Sequence, residues 1–229
     1  MQPYIFPYIG YFQLMSSSDE FVVYDNIEFT KKGWINRNRI LVNGRDEYIS
    51  FPLKKDSDFL QIRQRFLADS WGNERGKLLN KIIEAYRRAP NFKFVFPIIE
   101  TTMLFQDSNL FAFIFNSLTI LKTYFGIQTP LTISSSIKID HTLKAEKKVI
   151  EICKERKASM YINSIGGVGL YSKEEFRSEG IELTFIKTNS YVYKQLDNEF
   201  VPWLSIIDVM MFNSLDKIKE ILIEGYSLV

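Results

Sequence analysis

The sequence predicts an α/β protein: a mixed or mostly parallel sheet covered by helices, with a helical segment inserted around residues 70–126. Three observations predict it. Short β-branched and aromatic runs alternate with helical patterns through the second half, the signature of strands linked by helices. Apolar positions recur at helical spacing from Leu78 to Tyr124 with no strand pattern among them. An Asn43-Gly44 pair stands between two extended runs in the first half and marks a hairpin. The 229 residues suit one α/β domain, and residues 1–229 are read as one.

In chain order, Gly10–Ser16 starts a short helix and Phe21–Tyr24 is a compact buried strand. Arg39–Val42 and Glu47–Leu53 pair across Asn43-Gly44, whose residues accept the positive φ of a type I′ turn. Leu60, Ile62 and Phe66 fall at even spacing and suggest another strand. Leu78, Leu79, Ile82, Ile83 and Tyr86 form an amphipathic stripe, which Pro90 stops at Ala89. Helices follow over Pro97–Leu104 and Leu110–Tyr124, the second capped by Gly126. Leu131–Ser134 is a strand, Leu143–Ala158 a charged helix with Val149, Ile150 and Cys153 inward, and Met160–Ile162 a strand. Ser172 and Glu175 read as a capping box, Glu182–Ile186 as a strand, Ser205 with Asp208 as a helix cap, and Leu215–Ile223 as the last helix.

Composition excludes several classes. A net charge of +2 gives no global basic face for DNA. One cysteine, Cys153, excludes an internal disulfide framework and points to a reducing cytoplasm. With one histidine, His141, a zinc site is not expected, and no cofactor motif is present. The most apolar stretch, Leu110 to Phe125, is interrupted by Asn116, Ser117 and Lys122 and falls short of the roughly 20 residues a bilayer needs. No basic segment followed by an apolar run opens the chain as a signal peptide would.

Candidate site residues concentrate at the start. Gln2, Tyr4, Tyr8 and Tyr11 offer amide and hydroxyl tips on apolar bodies, which suits a sugar ring or nucleobase; the alternative is a Pro-aromatic turn packed on the core. Five basic residues and no acid lie between Lys31 and Arg45. In Lys32-Gly33-Trp34-Ile35-Asn36-Arg37-Asn38-Arg39 an extended backbone puts Asn36 and Asn38 on one face and Arg37 and Arg39 on the other. Arginine forks bind phosphate, so Lys32, Arg37 and Arg39 form a candidate clamp; a solvated edge strand is the competing reading. Asp25, at the end of a strand, is the candidate general base, against a plain turn-forming aspartate. Gly166 and Gly167, in the run Ser164–Gly169, offer backbone N–H groups to phosphate, but the run matches no phosphate-loop motif and a tight turn explains it equally. Ser205, Asp208 and His141 do not make a hydrolase triad, since no G-x-S-x-G elbow is present. His141 reads as an exposed residue at a helix start, and Cys153 as a small core residue rather than a thioester nucleophile.

Gln2-Pro3-Tyr4, Phe6-Pro7-Tyr8, Gly10-Tyr11-Phe12, the block from Lys32 to Arg39, Ala89-Pro90, Ser164-Ile165-Gly166-Gly167 and the run from Pro202 to Asn213 together resemble the WbqC-like family. The resemblance covers essentially the whole chain. It implies bacterial surface-polysaccharide biosynthesis, O-antigen included, and a transferase, with aminoacyl (glycine) transfer onto an amino sugar on a nucleotide or lipid carrier as the suggested chemistry. A phosphorylated sugar is then the small-molecule partner. Aminoacyl-tRNA, an adenylate or a thioester are the alternative donors, and a homo-oligomer stays open. A nucleotidyltransferase-like fold and a non-catalytic assembly protein are the competing readings. Family members carry several residues before the Gln-Pro as a first strand; here only Met1 precedes it.

Overall fold

The computed structural model describes residues Met1–Val229. It contains parallel and mixed sheets covered by helices, as expected. Strand β1 (Phe21–Val23) pairs in parallel with β4 (Leu131–Ile133). Strand β5 (Met160–Ser164) runs parallel to β6 (Glu182–Thr188), and β7 (Tyr226–Leu228) closes that sheet antiparallel to β6. The hairpin of β2 (Arg37–Val42) and β3 (Arg45–Ser50) stands apart, turning on Asn43 at φ 50° and Gly44 at φ 76°. Both turn residues take the left-handed conformation that a type I′ turn demands.

Helix α1 (Ile9–Ser16) is almost wholly buried and packs on β5, β6 and α8 (Leu215–Glu224). The inserted segment is α2 (Trp71–Tyr86), α3 (Phe92–Met103) and α4 (Leu110–Phe125), the last ended by Gly126 at φ 73°. Helix α5 (Ala145–Glu155) follows β4, α6 (Lys173–Ser178) precedes β6, and α7 (Ile206–Phe212) precedes α8. A large core joins α1, the hairpin and the inserted helices; a smaller one gathers Val149, Ile150, Cys153, Phe176 and Leu183 under α5 and α6.

Several expectations are corrected. Residues 60–66 are not a strand but a 3-10 turn, Ile62–Gln64, flanked by single bridges. The Gln64 side chain accepts from the Gln61 backbone N–H at 2.9 Å, and Arg65 turns inward to the Ser57 carbonyl at 2.8 Å, so local polar contacts override the even apolar spacing. Helix α3 begins at Phe92, five residues before the expected start, and carries Pro97 inside it, where the ring removes one i→i−4 hydrogen bond. Ser172 caps α6, but the box is half made: the Ser172 N–H goes to Glu146 instead of Glu175. Ser205 caps α7, whereas Asp208 is fully buried and takes no part in capping.

Met1 continues the β1 sheet on the edge opposite β4. Its amine donates to the Val22 carbonyl at 2.6 Å and its carbonyl accepts from Tyr24 N–H at 3.0 Å. Burial lowers that amine to about 5. Beside it an apolar groove of about 350 Å³ separates β1 from β5, lined by Phe21, Tyr24, Cys153, Tyr161 and Ile162. No helix is long and apolar enough to cross a membrane.

Candidate functional site

The opening Pro-aromatic segment is a strained loop held from three sides. Phe6 sits at φ 43° and is fully buried. Its carbonyl accepts from Asn38 Nδ2 at 2.7 Å and from Ser205 Oγ at 2.8 Å. Asn38 Nδ2 also donates to the Ile5 carbonyl at 3.1 Å, and Ile206 N–H to the Pro7 carbonyl at 2.8 Å. Asn38 is therefore an internal strut of β2, its amide committed to the loop. Asn36 does similar work, donating to the Phe51 carbonyl at 2.8 Å. Tyr11 is buried within the core, and Tyr4 packs edge-on against it at 5.1 Å. Gln2, Tyr4 and Tyr8 keep part of their surface in solvent. The Tyr8 hydroxyl lies where a Cβ on residue 10 would come within 2.3 Å, which is why Gly10 stands there.

The two arginines do point away from Asn38, as strand alternation requires. Their forks are engaged inside the chain. Arg37 donates through Nε to the Gly33 carbonyl at 2.9 Å and through Nη2 to the Lys32 carbonyl. Arg39 pairs with Asp46 at 2.9 Å and donates to the Trp203 carbonyl at 3.2 Å. Lys32 is exposed, and so is 41% of Trp34.

A second constellation lies at the carboxyl ends of β1 and β4, where open parallel sheets form ligand crevices. Asp25 follows β1 and is buried. Its Oδ1 accepts from Ser134 Oγ and from Ser135 N–H, each at 2.9 Å. Its Oδ2 has only the Arg63 guanidinium near it, at 3.8 Å. Ser134 Oγ also reaches Asn26 Oδ1 at 2.7 Å, so one hydroxyl proton serves two oxygens. Lys148, on α5, is buried and donates to the same Asn26 Oδ1 at 3.2 Å; its ammonium lies 5.8 Å from the Tyr24 ring. Burial lowers the Lys148 pKa below the ordinary 10.5; the Asp25 charge opposes this and the Arg63 charge adds to it. Asn26 Nδ2 meets His141 Nδ1 at 3.0 Å while His141 Nε2 meets the Ile137 carbonyl at 3.0 Å.

Of the sequence candidates, this crevice contains Asp25 alone. Reading the chain residue by residue misses Asn26, Arg63, Ser134 and Lys148. The visible signal for Ser134 was its place at a strand end, and for Lys148 its place beside Val149 on an inward stripe. Gly167 is set by close packing, since a Cβ there would meet Asn163 Nδ2 at 2.5 Å, while Gly166 faces open space. Cys153 is buried, and burial pushes its thiol up to about 11, the opposite of an activated nucleophile. No three of the His, Cys, Asp and Glu side chains gather as a metal-ligand set.

Fold and crevice together define a mixed α/β protein with a buried aspartate, serine and lysine at its strand ends. The chain belongs to the WbqC-like protein family, whose pattern it matches over residues 2–220. It is 29% identical over 210 residues to the uncharacterized protein Rv1507c of Mycobacterium tuberculosis, covering 90% of this chain and 89% of that one. No solved structure matches it.

Proposed function

We propose that this protein is a cytoplasmic transferase of surface-polysaccharide (O-antigen) biosynthesis that moves an aminoacyl group, glycine in the simplest case, onto an amino sugar carried on a nucleotide or lipid. The observation that carries the reading is Asp25: a buried carboxylate with one oxygen fixed by Ser134 and Ser135 and the other without a hydrogen-bond donor. Such an oxygen is placed to take a proton from an incoming amine.

In this reading the sugar nitrogen attacks the acyl carbonyl directly. The C–N bond forms, the bond to the donor's leaving group breaks, and the ammonium proton passes to Asp25 Oδ2. No covalent enzyme intermediate is needed, in keeping with the inert Cys153. Lys148 and Arg63 supply positive charge for the oxyanion or for a substrate phosphate. Gln2, Tyr4, Tyr8, Lys32 and Trp34 lie outside the crevice and would meet the sugar or base only of a substrate that extends beyond it.

The test is Asp25→Asn, assayed for glycine transfer from glycyl donors to nucleotide amino sugars. The neutral amide keeps the contacts to Ser134 and Ser135 but cannot take the proton. Turnover should fall by about 10²–10⁴-fold with substrate affinity retained. Full activity in the variant would remove Asp25 from the chemistry.

A further inference from the structure

If the crevice transfers an acyl group, as proposed above, its charges also specify the donor. Three charged groups meet at the ends of β1 and β4. Asp25 is 3% exposed and Lys148 6%, so both are buried. Lys148 donates only to Asn26, at 3.2 Å to Oδ1 and at 3.5 Å to the backbone carbonyl. Arg63 spends Nε on Gln61 Oε1 at 2.9 Å and brings Nη1 to 3.8 Å from Asp25 Oδ2; its Nη2 has no acceptor in the chain. Two cations therefore share one carboxylate, and one positive charge is left over. Asp140 and Glu146, close to Lys148 in sequence, do not supply the missing charge: Asp140 holds Thr142, and Glu146 accepts from the Ser172 N–H.

A buried ammonium held by neutral oxygens alone is costly, and an anion in contact removes that cost. The hairpin cations stand differently. Arg37 lies 5.1 Å over the Tyr48 ring with its fork on carbonyls, and Arg39 has Asp46. Lys32 and Arg45 are exposed, where water solvates them.

The donor classes differ in the charge they bring to the acyl carbon. A thioester and a ribose ester are neutral there, whereas an acyl phosphate is anionic on the group that leaves. We propose that the donor is a mixed anhydride of the amino acid with a phosphate, whose phosphoryl oxygens take Lys148 Nζ and Arg63 Nη2. The sugar amine attacks the acyl carbon and the C–N bond forms. The bond from that carbon to the phosphate oxygen breaks, its electron pair leaving with the phosphate, and the ammonium proton passes to Asp25 Oδ2. The phosphate gains one negative charge as it leaves, so the two cations hold it more tightly in the transition state than in the bound donor. A reaction that activates the amino acid with a phosphoryl or nucleotidyl donor must supply such an anhydride.

The experiment measures, by calorimetry on the full chain, the binding of two unreactive anionic analogues, glycyl-sulfamoyl adenosine and aminoacetyl phosphonate, and of an uncharged thioether analogue of glycyl-pantetheine. At least one anionic analogue should bind about tenfold or more tighter than the uncharged one. Lys148→Met and Arg63→Met, each checked for an unchanged or higher Tm, should weaken that binding by about tenfold or more. Arg63→Lys, which keeps the charge, should restore part of it. Asp25→Asn should bind the anionic analogues as tightly as the parent or tighter, because a like charge is gone. Preference for the adenosine compound assigns the anhydride to an adenylate, and equal binding assigns it to a simple acyl phosphate; either supports the proposal. Anionic analogues bound no tighter than the uncharged one, or binding that survives both cation variants, would overturn it. Transfer assays keep the two readings apart. Glycine transfer from a thioester or from glycyl-tRNA, lost in Asp25→Asn and without any preference for the anionic analogues, sinks the anhydride and leaves the transferase. Tight anionic binding through Lys148 and Arg63, with full transfer in Asp25→Asn, keeps the anhydride and removes Asp25 from the chemistry.

Discussion

The crevice at the strand ends and the face of the hairpin handle polar groups in opposite ways. At the crevice, ionisable groups are buried yet incompletely matched: Asp25 Oδ2 has no donor within hydrogen-bond distance, and Lys148 contacts only Asn26 oxygens. On the hairpin, Arg37 and Arg39 spend most of their donors on carbonyls and on Asp46, and the apolar rings are left outside. Unmatched polarity in a buried place costs stability, which makes the crevice a candidate for chemistry. Unmatched apolar area on a rigid surface is the mark of recognition. Counting charges along the chain points to the hairpin for anion binding, whereas tracing each donor to its acceptor moves the available charge to the crevice.

Three perturbations sharpen this contrast, beginning with the largest. The hairpin stands on Asp208, whose carboxylate accepts from Tyr86 Oη at 2.9 Å, Tyr193 Oη at 2.6 Å and Gln195 Nε2 at 2.7 Å; Tyr86 Oη accepts from Leu41 N–H of β2 at 2.8 Å. Burial pushes the Asp208 pKa up, while the three donors pull it back. Asp208→Ala removes the acceptor of the Tyr86 and Tyr193 hydroxyls and one of the two acceptors of Gln195 Nε2, and should cost about 3–5 kcal/mol, read as a fall in Cm with urea. If Cm is unmoved, the hairpin does not depend on this network.

The second perturbation tests whether the crevice trades stability for function. Lys148→Met removes a buried cation that touches no carboxylate. Tm at neutral pH should hold or rise by a few degrees, with turnover lost. The pH dependence has a defined sign. The folded chain releases the Lys148 proton below the unfolded value of 10.5, so the unfolded chain binds more protons in that window. Stability attributable to this residue therefore rises as pH approaches 10.5, and the gap in Tm between Lys148→Met and the parent should narrow there. A constant gap from pH 8 upward would show that Lys148 carries no unfavourable buried charge.

The smallest effect is expected at Arg37. Arg37→Ala loses two hydrogen bonds to carbonyls of the loop before β2 and one face of the Tyr48 stack, with loss of about 1 kcal/mol of stability. Nucleotide-sugar affinity should stay within about twofold, because its fork is not offered to phosphate. A loss of affinity of tenfold or more, measured by calorimetry, would return the phosphate clamp to the hairpin.

Much of the architecture was legible because it rests on local rules. The Asn43-Gly44 hairpin, the Gly126 cap, the Ser172 and Ser205 caps and the inward stripe of α5 each follow from a few neighbouring residues and the conformations they permit. So does the alternation that turns Asn38 inward and Arg37 and Arg39 outward. The place of Asp25 at the end of β1 follows likewise from a local pattern, a strand followed by an aspartate.

Other features depended on partners far away in sequence. Asp208 looked like a cap until Tyr86, Tyr193 and Gln195 closed around it. Ser134 lies 109 residues from Asp25, and Lys148 lies 122 from Asn26. By itself the sequence determined most of the helices, the hairpin and most of the strands, and which residue types could carry chemistry. Only the tertiary structure decided which of those groups are already satisfied. A hydrogen-bond donor or a charge is free or spent according to what packs against it, and packing across a hundred residues leaves no periodic trace in the chain.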